Sequence, residues 1–363
     1  PLAGVVFHAV GRNPIAGMAA AFAGVSGGFS ANLVLGTVDP LLAGLSTEAA
    51  QIIDTNYEVN PTANWYFMIA STFLIAIAGT FITEKLVEPR LGKYKGDVEI
   101  KQDSLGKLNR LERKGLWYSL AAFLTIVGIT LIGIIPENGF FRGDDGGVLS
   151  SPLIKGVVAM LFITAGVMGL VYGFITKEFK NDEDVMKGMA ASMKTLAAYV
   201  VLVFFAAQFV AYFKWSNLGI ISAINGAHLI ESAKLPLAVT LILFILLAAA
   251  LNMLMGSASA KWALLAPIFV PMFMLMGYSP ELSQVVYRIG DSVTNVISPM
   301  MSFFALIIAF IQKYDSKAGI GTIVATMLPY SIAFLVIWIL LLIGWIEIGI
   351  PLGPDAGIHY TMP

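Results

Sequence analysis

The sequence predicts an all-α, polytopic membrane protein with two repeats, each a re-entrant helical hairpin followed by a broken transmembrane helix. The first observation is composition, because 58% of the 363 residues are hydrophobic and only 12% are charged, against about one quarter in soluble domains. The mean hydropathy is correspondingly high, at +0.82. The second observation is a series of apolar runs that approach the roughly 20 residues needed to cross a bilayer. The third is a set of shorter apolar runs broken by polar residues, which a bilayer tolerates only inside protein or beside water.

Composition also argues against several functional classes. The net charge is −1, so the chain has no basic excess that would favour nucleic acid as a partner. Because the chain has no cysteine, it forms no disulfide, no thiolate metal site and no cysteine nucleophile. The histidines His8, His228 and His359 are isolated and lack the spacing of metal ligands. We therefore expect a lipid bilayer as the surroundings and no cofactor beyond a coupling ion.

The first repeat is predicted over residues 1–82. Two apolar arms flank the Gly/Ser-rich stretch Gly24–Asn32, and each arm is too short to span, which favours a re-entrant hairpin at about 13–43. A surface turn is expected at Gly44–Glu48, followed by a broken helix at about 46–82 with its break near Asn60-Pro61. The polar residues around this break form either a second ion site or a solvated segment: Asp54, Thr55, Asn56 and Asn60. Solvation is favoured for Asp54 and Glu58, because both are close to the expected surface turn.

The middle of the chain is predicted to connect the two repeats. Residues 83–115 form a charged linker with nine Lys or Arg residues, best explained as solvated or interfacial. Residues 116–213 form scaffold helices, with crossings expected at 116–135, 153–175 and 196–213. The basic segments 83–115 and 176–194 are expected on the cytoplasmic side and 136–151 on the opposite side. A fourth crossing at 216–232 would make the two repeats inverted, and the sequence leaves this open.

The second repeat is predicted over residues 214–312, as a hairpin at about 235–277 and a broken helix at about 279–312. Gly44–Gln51 matches Gly277–Gln284 at glycine, serine, glutamate and glutamine, and Asn60-Pro61 corresponds to Ser298-Pro299. Internal repeats with interrupted helices point to a transport site between the two halves. Residues 313–363 complete the chain as a last membrane helix and a tail.

Polar residues in the second repeat are the strongest candidates for a site, because ionisable groups inside a bilayer cost roughly 2.5–3.5 kcal/mol each on insertion scales. Arg288 offers a planar donor fork suited to a carboxylate or sulfonyl group. Asp291 lies three residues on and would share its helical face, so the two could neutralise each other when no substrate is bound. The alternative is a permanent structural ion pair. Trp262 either stacks on an aromatic substrate or packs against the hairpin.

Oxygen-bearing residues near the predicted break suit a hard cation such as sodium. They are Asn252, the carbonyl of Gly256, Asp291 and Asn295. One alternative is that these groups only satisfy the backbone of the broken helix. Another is that Asp291 carries a proton, since burial favours the neutral form of a carboxyl group. Sodium and proton coupling both remain open at this point.

The stretch Gly256–Pro299, with Gly277-Tyr-Ser-Pro280-Glu and Tyr287-Arg-Ile-Gly-Asp291, resembles the AbgT family of p-aminobenzoyl-glutamate transporters. The similarity extends to Gly24–Leu33 and Thr37-Val-Asp39-Pro40 and covers nearly the whole chain. It implies a homodimeric carrier of the bacterial inner membrane that takes up p-aminobenzoyl-glutamate or exports sulfonamide-type antimetabolites, driven by a sodium or proton gradient. Family members carry additional N-terminal helices, and the sequence leaves open whether such helices precede Pro1.

The resemblance also implies which residues contact the substrate and the cation. The substrate positions are Asp39, Ser259, Trp262, Pro280, Arg288, Asp291 and Pro299. The cation positions are Asn252, Gly256, Asp291 and Asn295.

Two other functions compete with this one. A sodium-coupled di- or tricarboxylate carrier would use Arg288 equally well, although it would not need the aromatic surface of Trp262. An intramembrane enzyme ranks well below, because the sequence shows no metal or acid–base cluster. Gly-Val-Ser26-Gly-Gly superficially resembles the surroundings of a serine nucleophile, but no basic partner for Ser26 is evident and a hairpin tip is the better interpretation.

Overall fold

A computed structural model describes residues 2–94, 108–142, 152–218, 221, 224–225, 228, 232–299, 301 and 304–361. Over these residues the regular structure is helical, apart from two isolated bridges near the C-terminus. The chain divides into two compact units, one formed by residues 1–100 with 209–363 and the other by residues 101–208. The expected all-α membrane protein is confirmed, whereas the relation between two repeats stays a prediction.

The first part of the larger unit begins with five helices. They are α1 (Leu2–Ala9), α2 (Pro14–Phe22), α3 (Val38–Ala50), α4 (Trp65–Ile82) and α5 (Glu88–Leu91). The side chain of Asn13 caps α2 by accepting the Ile15 N–H at 2.9 Å, with Pro14 at the first helical position. A π-helical turn, Ala23–Gly27, extends α2 toward the hairpin tip. The predicted first hairpin thus corresponds to α2, this turn, the connecting residues 28–37 and the first part of α3.

The surface turn expected at Gly44–Glu48 is wrong. These residues continue α3, which ends only at Ala50, and Ser46 is fully buried. The turn prediction failed because Gly44, Ser46 and Thr47 are poor helix formers in isolation, whereas tertiary contacts around Ser46 outweigh that preference. The non-helical segment lies at 51–64, around Asn60-Pro61, and α4 follows it.

The second part of the larger unit also contains five helices. They are α10 (Leu237–Asn252), α11 (Ala258–Leu275), α12 (Pro280–Val293), α13 (Phe304–Gln312) and α14 (Ile320–Ile348). The tip 253–257 joins α10 to α11, and Ser257 caps α11 through the Ala260 N–H. The helix breaks after α12, at the segment that contains Ser298-Pro299. The predicted later hairpin thus corresponds to α10, the tip and α11, and the predicted broken helix to α12 and the segment after it.

Helix α12 is the centre of the larger unit, because each of its residues from Pro280 to Val293 is buried. It packs against α3, α10, α11 and α14. Gly290 allows the close approach of α10, since a Cβ added there would collide with the carbonyl oxygen of Ile245 and the methyl group of Ala248. Every polar side chain of α12 therefore needs a partner from a neighbouring element.

The C-terminal tail at 350–360 ties the turn before α12 to the segment before α4. The Ser279 N–H donates to the Ile358 carbonyl at 3.0 Å, and the Tyr360 N–H donates to the Gly277 carbonyl at 2.9 Å. Gly353 lies so close to the Thr62 carbonyl that a Cβ would overlap it. Burial and the carboxylate of Asp54 raise the pKa of Tyr360, whose hydroxyl donates to Asp54 at 3.4 Å.

The smaller unit contains α6 (Arg110–Ile134), α7 (Pro152–Lys155), α8 (Val157–Thr176) and most of α9 (Asp182–Trp215). A reciprocal cap between Asn109 and Glu112 begins α6. The helices α6 and α8 pack together, with the Ser119 hydroxyl donating to the Met168 carbonyl at 3.0 Å. Large apolar side chains such as Phe162, 71% exposed, remain outside this packing, as expected of a surface that faces lipid.

Among the described residues, five helices are long and apolar enough to cross a membrane: Trp65–Leu91, Arg110–Ile134, Ala159–Thr176, Ala258–Leu275 and Ile320–Ile348. Four of them coincide with expected crossings. The fifth is the second arm of the later hairpin. The crossing expected at 196–213 lies within α9, whereas most of 216–232 lies outside the described residues. Parts of the charged linker (95–107) and of the polar loop (143–151) also lie outside them.

Candidate substrate and cation site

The two charged residues near the end of α12 are both buried, with Arg288 3% and Asp291 2% exposed. The sequence suggested that they neutralise each other, and this expectation is wrong. The Arg288 guanidinium pairs instead with Asp39 of α3, and the Asp291 carboxylate pairs with Lys261 of α11. Side chains three residues apart on a helix are about 5–6 Å apart at Cβ. A pair between Arg288 and Asp291 would therefore be within reach, but each side chain contacts a partner on another helix, and α12 makes two separate ion pairs.

The first ion pair joins α12 to the first hairpin. Arg288 Nη1 lies 2.6 Å from Asp39 Oδ1, and Arg288 Nε donates to the Ser30 hydroxyl at 3.3 Å. Asp39 also accepts the Gly36 N–H at 2.5 Å, and it occupies the first turn of α3, where the helix dipole favours a negative charge. Both charges are therefore hydrogen-bonded as well as paired, which is the condition for keeping them buried.

The space beside Arg288 is small. A void of about 10 Å³ is lined by Ser30, Phe67, Arg288 and Trp338, which is room for about one water molecule. A larger cavity of about 360 Å³ lies between the tip of the first hairpin and α4, and its lining includes neither Arg288 nor Asp291. An organic anion reaches the guanidinium only if the Arg288–Asp39 pair separates.

The second ion pair joins α12 to the later hairpin. Lys261 Nζ lies 2.5 Å from Asp291 Oδ1 and also donates to the side-chain oxygen of Asn252. The Asn252 side-chain nitrogen in turn donates to Asn295 Oδ1 at 2.8 Å and to the Asp291 carbonyl at 2.7 Å. The end of α10, the start of α11 and the break after α12 thus share one buried network. The sequence did not single out Lys261, which is 1% exposed.

The predicted sodium ligands do not fit sodium in this arrangement. The side-chain oxygens of Asn252 and Asp291 face the Lys261 ammonium, and that of Asn295 accepts a hydrogen bond from Asn252. Over the residues that the structure describes, Gly256 in the hairpin tip shows no hydrogen bond to this network. A sodium ion would need the same oxygens that already hold the ammonium.

Trp262 connects the two halves of the larger unit. It is fully buried, and its ring stacks on Tyr287 with 4.6 Å between ring centroids. Its Nε1–H donates to the Ser46 hydroxyl at 2.9 Å, and that hydroxyl donates to Gln284 at 2.6 Å. A further hydrogen bond of 2.8 Å joins Gln284 to Asn64, at the start of α4. In this conformation the indole therefore packs against protein.

Two buried ion pairs and a polar network at the junction of two hairpins and a broken helix are typical of a membrane transport site. Comparison with known proteins decides the family, because the model of the AbgT putative transporter family matches residues 1–360. The chain belongs to the AbgT family. The resemblance inferred from the sequence is confirmed.

Three AbgT relatives are similar to this chain over nearly all of its length. The Escherichia coli p-aminobenzoyl-glutamate transport protein is 40% identical over 355 residues, covering 98% of this chain and 69% of that protein. The Alcanivorax borkumensis YdaH transporter, described as having an unusual topology, superposes with a TM-score of 0.91 at 46% identity, covering 98% and 74% of the two chains. Neisseria gonorrhoeae MtrF, from a class of antimetabolite efflux pumps, superposes with a TM-score of 0.89 at 50% identity. The match covers 98% of this chain and 71% of MtrF.

Family membership makes this chain a multi-pass membrane transporter of the bacterial inner membrane. Because the relatives are named as transport proteins, the hypothesis of an intramembrane enzyme is wrong. The roles of individual residues stay predictions, and the structure shows where those residues lie.

The remaining predicted substrate positions lie in or beside the same elements as the two ion pairs but, among the described residues, make no hydrogen bond to them. Pro280 is buried as the first residue of α12, and Pro299 is exposed in the break that follows it. Ser259 is half-buried in the first turn of α11, with its hydroxyl 3.5 Å from that of Ser257. None of the three residues carries a charge, and their predicted contact with the substrate stays a prediction.

The possible second ion site in the first half is replaced by local capping. Asp54 accepts the Asn56 N–H at 3.1 Å, and Asn60 accepts the Thr62 N–H at 2.9 Å. Thr55 and Asn56 are exposed. The solvated explanation favoured at the sequence level agrees with this geometry.

Ser26, which the sequence assigned only to the hairpin tip, contacts the segment after α12. Its carbonyl accepts a hydrogen bond from the Asn295 side chain at 3.1 Å, so the first hairpin reaches the break after α12. Its hydroxyl is buried and has no hydrogen-bond partner among the described residues. A buried hydroxyl without a partner is costly unless a ligand or water satisfies it. The glycine-rich tip was the available signal, because it lets the backbone approach closely.

Proposed function

We propose that this AbgT protein is a secondary active carrier of p-aminobenzoyl-glutamate, coupled to a sodium or proton gradient. The observation that carries the proposal is the buried pair of Arg288 with Asp39, which links α12 to the first hairpin at 2.6 Å. A buried arginine held by one protein carboxylate is suited to exchange that carboxylate for one on the substrate. The kinship with the Escherichia coli p-aminobenzoyl-glutamate transport protein supports an aromatic amide with carboxylate groups as that substrate.

Binding would proceed by exchange of partners at the guanidinium. In the arrangement that the structure describes, Asp39 neutralises Arg288 and only about 10 Å³ is free beside the guanidinium. A substrate carboxylate that replaces Asp39 keeps the guanidinium paired while it frees α3 to move away from α12. This couples occupation of the site to movement of the first hairpin, as alternating access requires.

The aromatic part of the substrate would lie near the stack of Trp262 on Tyr287. Asp39 and Ser46, the partners of Arg288 and Trp262, lie seven residues apart on one face of α3, so the guanidinium and the aromatic stack contact neighbouring parts of that helix. When α3 separates from α12, the hydrogen bond from Trp262 to Ser46 is lost and an edge of the stack is uncovered. Aromatic rings stack with an attraction of about 0.5–1.5 kcal/mol beyond the area they bury.

Transport into proteoliposomes tests the proposal. Radiolabelled p-aminobenzoyl-glutamate is expected to accumulate in vesicles with an imposed sodium gradient or proton gradient, and the gradient that drives accumulation identifies the ion. Arg288→Met is expected to abolish uptake. Lys187→Met, which removes an exposed lysine paired with Glu183, is the matched control and should leave uptake unchanged. If no gradient drives accumulation by the unmodified protein, the proposed function is wrong.

Export of sulfonamide-type antimetabolites is a second candidate, supported by the 50% identity with Neisseria gonorrhoeae MtrF. A sulfonamide shares the aminophenyl ring and offers sulfonyl oxygens to Arg288. Competition decides between the candidates: excess sulfanilamide should inhibit uptake if one site serves both. Inhibition by succinate but not by sulfanilamide would favour the di- or tricarboxylate alternative. The proposed homodimer is tested separately, by native mass spectrometry of the detergent-solubilised protein.

A further inference from the structure

The ammonium of Lys261 is held as a small buried cation would be. Its side chain is 0% exposed, and Nζ contacts a carboxylate oxygen of Asp291 and the carboxamide oxygen of Asn252. Asn252 is fixed in turn, because its nitrogen donates to Asn295 and to the Asp291 carbonyl. The carboxamide oxygen is thereby turned toward the ammonium. The oxygens around Lys261 are therefore arranged for a positive charge.

The charges of the surrounding site balance without any ion from solution. Lys261 neutralises Asp291 and Arg288 neutralises Asp39, so these two pairs hold two positive and two negative groups. Glu281, at the opposite end of α12, belongs to neither pair and accepts a hydrogen bond from the Tyr57 hydroxyl at 2.9 Å. A further cation bound among these oxygens would leave one positive charge buried and unpaired, which is unfavourable at low dielectric. A free cation can therefore enter only if the ammonium leaves.

Lys261 is placed so that it can leave. It lies in the first turn of α11, and the adjoining tip 253–257 includes the exposed residues Leu254 and Ser257. The four methylene groups of lysine are flexible, and the ammonium is a compact point charge that exchanges one oxygen partner for another or for water. Rotation of the side chain toward the tip would free the oxygens of Asp291 and Asn252 and move no helix.

We propose that Lys261 is a tethered cation, which occupies the oxygens of Asp291 and Asn252 in place of a small monovalent cation, so that the two bind in mutual exclusion. This inference rests on the proposed cation coupling and specifies which residue regulates binding of the cation. In the arrangement that the structure describes, the lysine occupies the place that a free cation would take. A sodium ion binds only as it displaces that lysine, so its apparent affinity is reduced by the competition.

The first test is a sodium titration of thermal stability in detergent, at constant ionic strength with choline as the replacement cation. Lys261→Met removes the ammonium but keeps the length of the side chain. The variant is expected to gain stability with sodium, by a saturable rise in Tm of several degrees, at a half-saturating concentration about tenfold or more below that of the unmodified protein, as loss of a competitor predicts. The double variant Lys261→Met/Asp291→Asn is expected to lose this response.

The control Lys187→Met removes a lysine from an exposed pair with Glu183 and should respond to sodium as the unmodified protein does. The proposal is overturned if folded Lys261→Met shows no sodium-specific stabilisation. It is equally overturned if its half-saturating concentration equals or exceeds that of the unmodified protein.

A second measurement uses the unmodified protein and does not depend on whether the variant folds. Reductive methylation of Lys261, quantified by peptide mass spectrometry, is expected to increase about threefold or more in saturating sodium relative to choline, because displacement exposes the amine. Methylation of Lys187 should not change. Unchanged or decreased methylation of Lys261 in sodium contradicts the proposal.

Failure of this inference is distinguishable from failure of the proposed function. Sodium responses are measured without substrate, whereas the proposed function depends on uptake through Arg288. Normal uptake without a sodium response would refute the proposal that Lys261 is a tethered cation. The proposed carrier function would be unaffected.

Discussion

Removal of the Asp39 carboxylate is expected to destabilise the protein strongly, because it leaves the Arg288 guanidinium buried and without a counter-charge. Arg288 is only 3% exposed, so water cannot replace the lost partner without rearrangement. Breaking a buried ion pair by removing one partner costs about 3–5 kcal/mol, whereas replacing both partners by apolar residues of similar volume is often neutral. We therefore expect Asp39→Ala to cost about 3–5 kcal/mol and Asp39→Leu/Arg288→Met to recover most of it.

Thermal unfolding in detergent measures this difference. At about 2 °C per kcal/mol for a chain of this size, Asp39→Ala should lower Tm by about 6–10 °C. Glu183→Ala breaks the exposed pair with Lys187 and is the matched control, with an expected cost below about 1 kcal/mol. The reasoning is refuted if Asp39→Ala lowers Tm no more than this control. It is also refuted if the double variant is as unstable as the sum of its two single changes.

Three further predictions concern packing around the site. Ser26→Ala removes a buried hydroxyl that has no partner among the described residues, so we expect it to raise the free energy of unfolding by about 1 kcal/mol. We also expect it to weaken substrate binding measured by calorimetry. A lower free energy of unfolding would contradict the prediction. Gly290→Ala forces a methyl group against α10 and should lower the free energy of unfolding by about 1–3 kcal/mol or more. The control is Gly344→Ala, whose added methyl group meets open space. It should leave Tm unchanged or higher in the same thermal assay. Gly353→Ala should detach the tail from α4 and increase proteolysis of the C-terminus; unchanged proteolysis would contradict this.

The membrane setting and the helix breaks could be predicted because the hydrocarbon core of a bilayer restricts which residues each short segment can contain. A run such as 320–348 crosses because its own residues are apolar, and a break near Ser298-Pro299 is visible because proline and polar residues interrupt such a run. The family was also accessible from the sequence, since the motif around Arg288 and Asp291 lies within one short stretch.

The partners of the charged residues were not predictable from spacing. Arg288 and Asp39 are 249 residues apart, so only the packing of α3 against α12 brings them together. The sequence pairing of Arg288 with Asp291 relied on helix periodicity, which describes neighbours on one helix and carries no information on other helices. Asp39 was named through the family resemblance, and its role as the counter-charge of Arg288 emerged only from the fold.

Lys261 and Ser46 were missed for a related reason. A lysine beside a hairpin tip is ordinarily solvated, and nothing in the local sequence distinguishes one that folds back to Asp291. Ser46 lies between residues typical of a turn, and its burial under Trp262 depends on the second hairpin. In both cases the decisive interaction is made by an element far away in the chain.

The most direct test of the central claim is calorimetric titration of p-aminobenzoyl-glutamate into the purified protein, beside Arg288→Met and Asp39→Asn. If the substrate replaces Asp39 at the guanidinium, binding is lost in Arg288→Met and becomes tighter in Asp39→Asn, where the competing negative charge is gone. Equal affinity in the unmodified protein and in a folded Arg288→Met variant would contradict the claim that Arg288 binds the substrate.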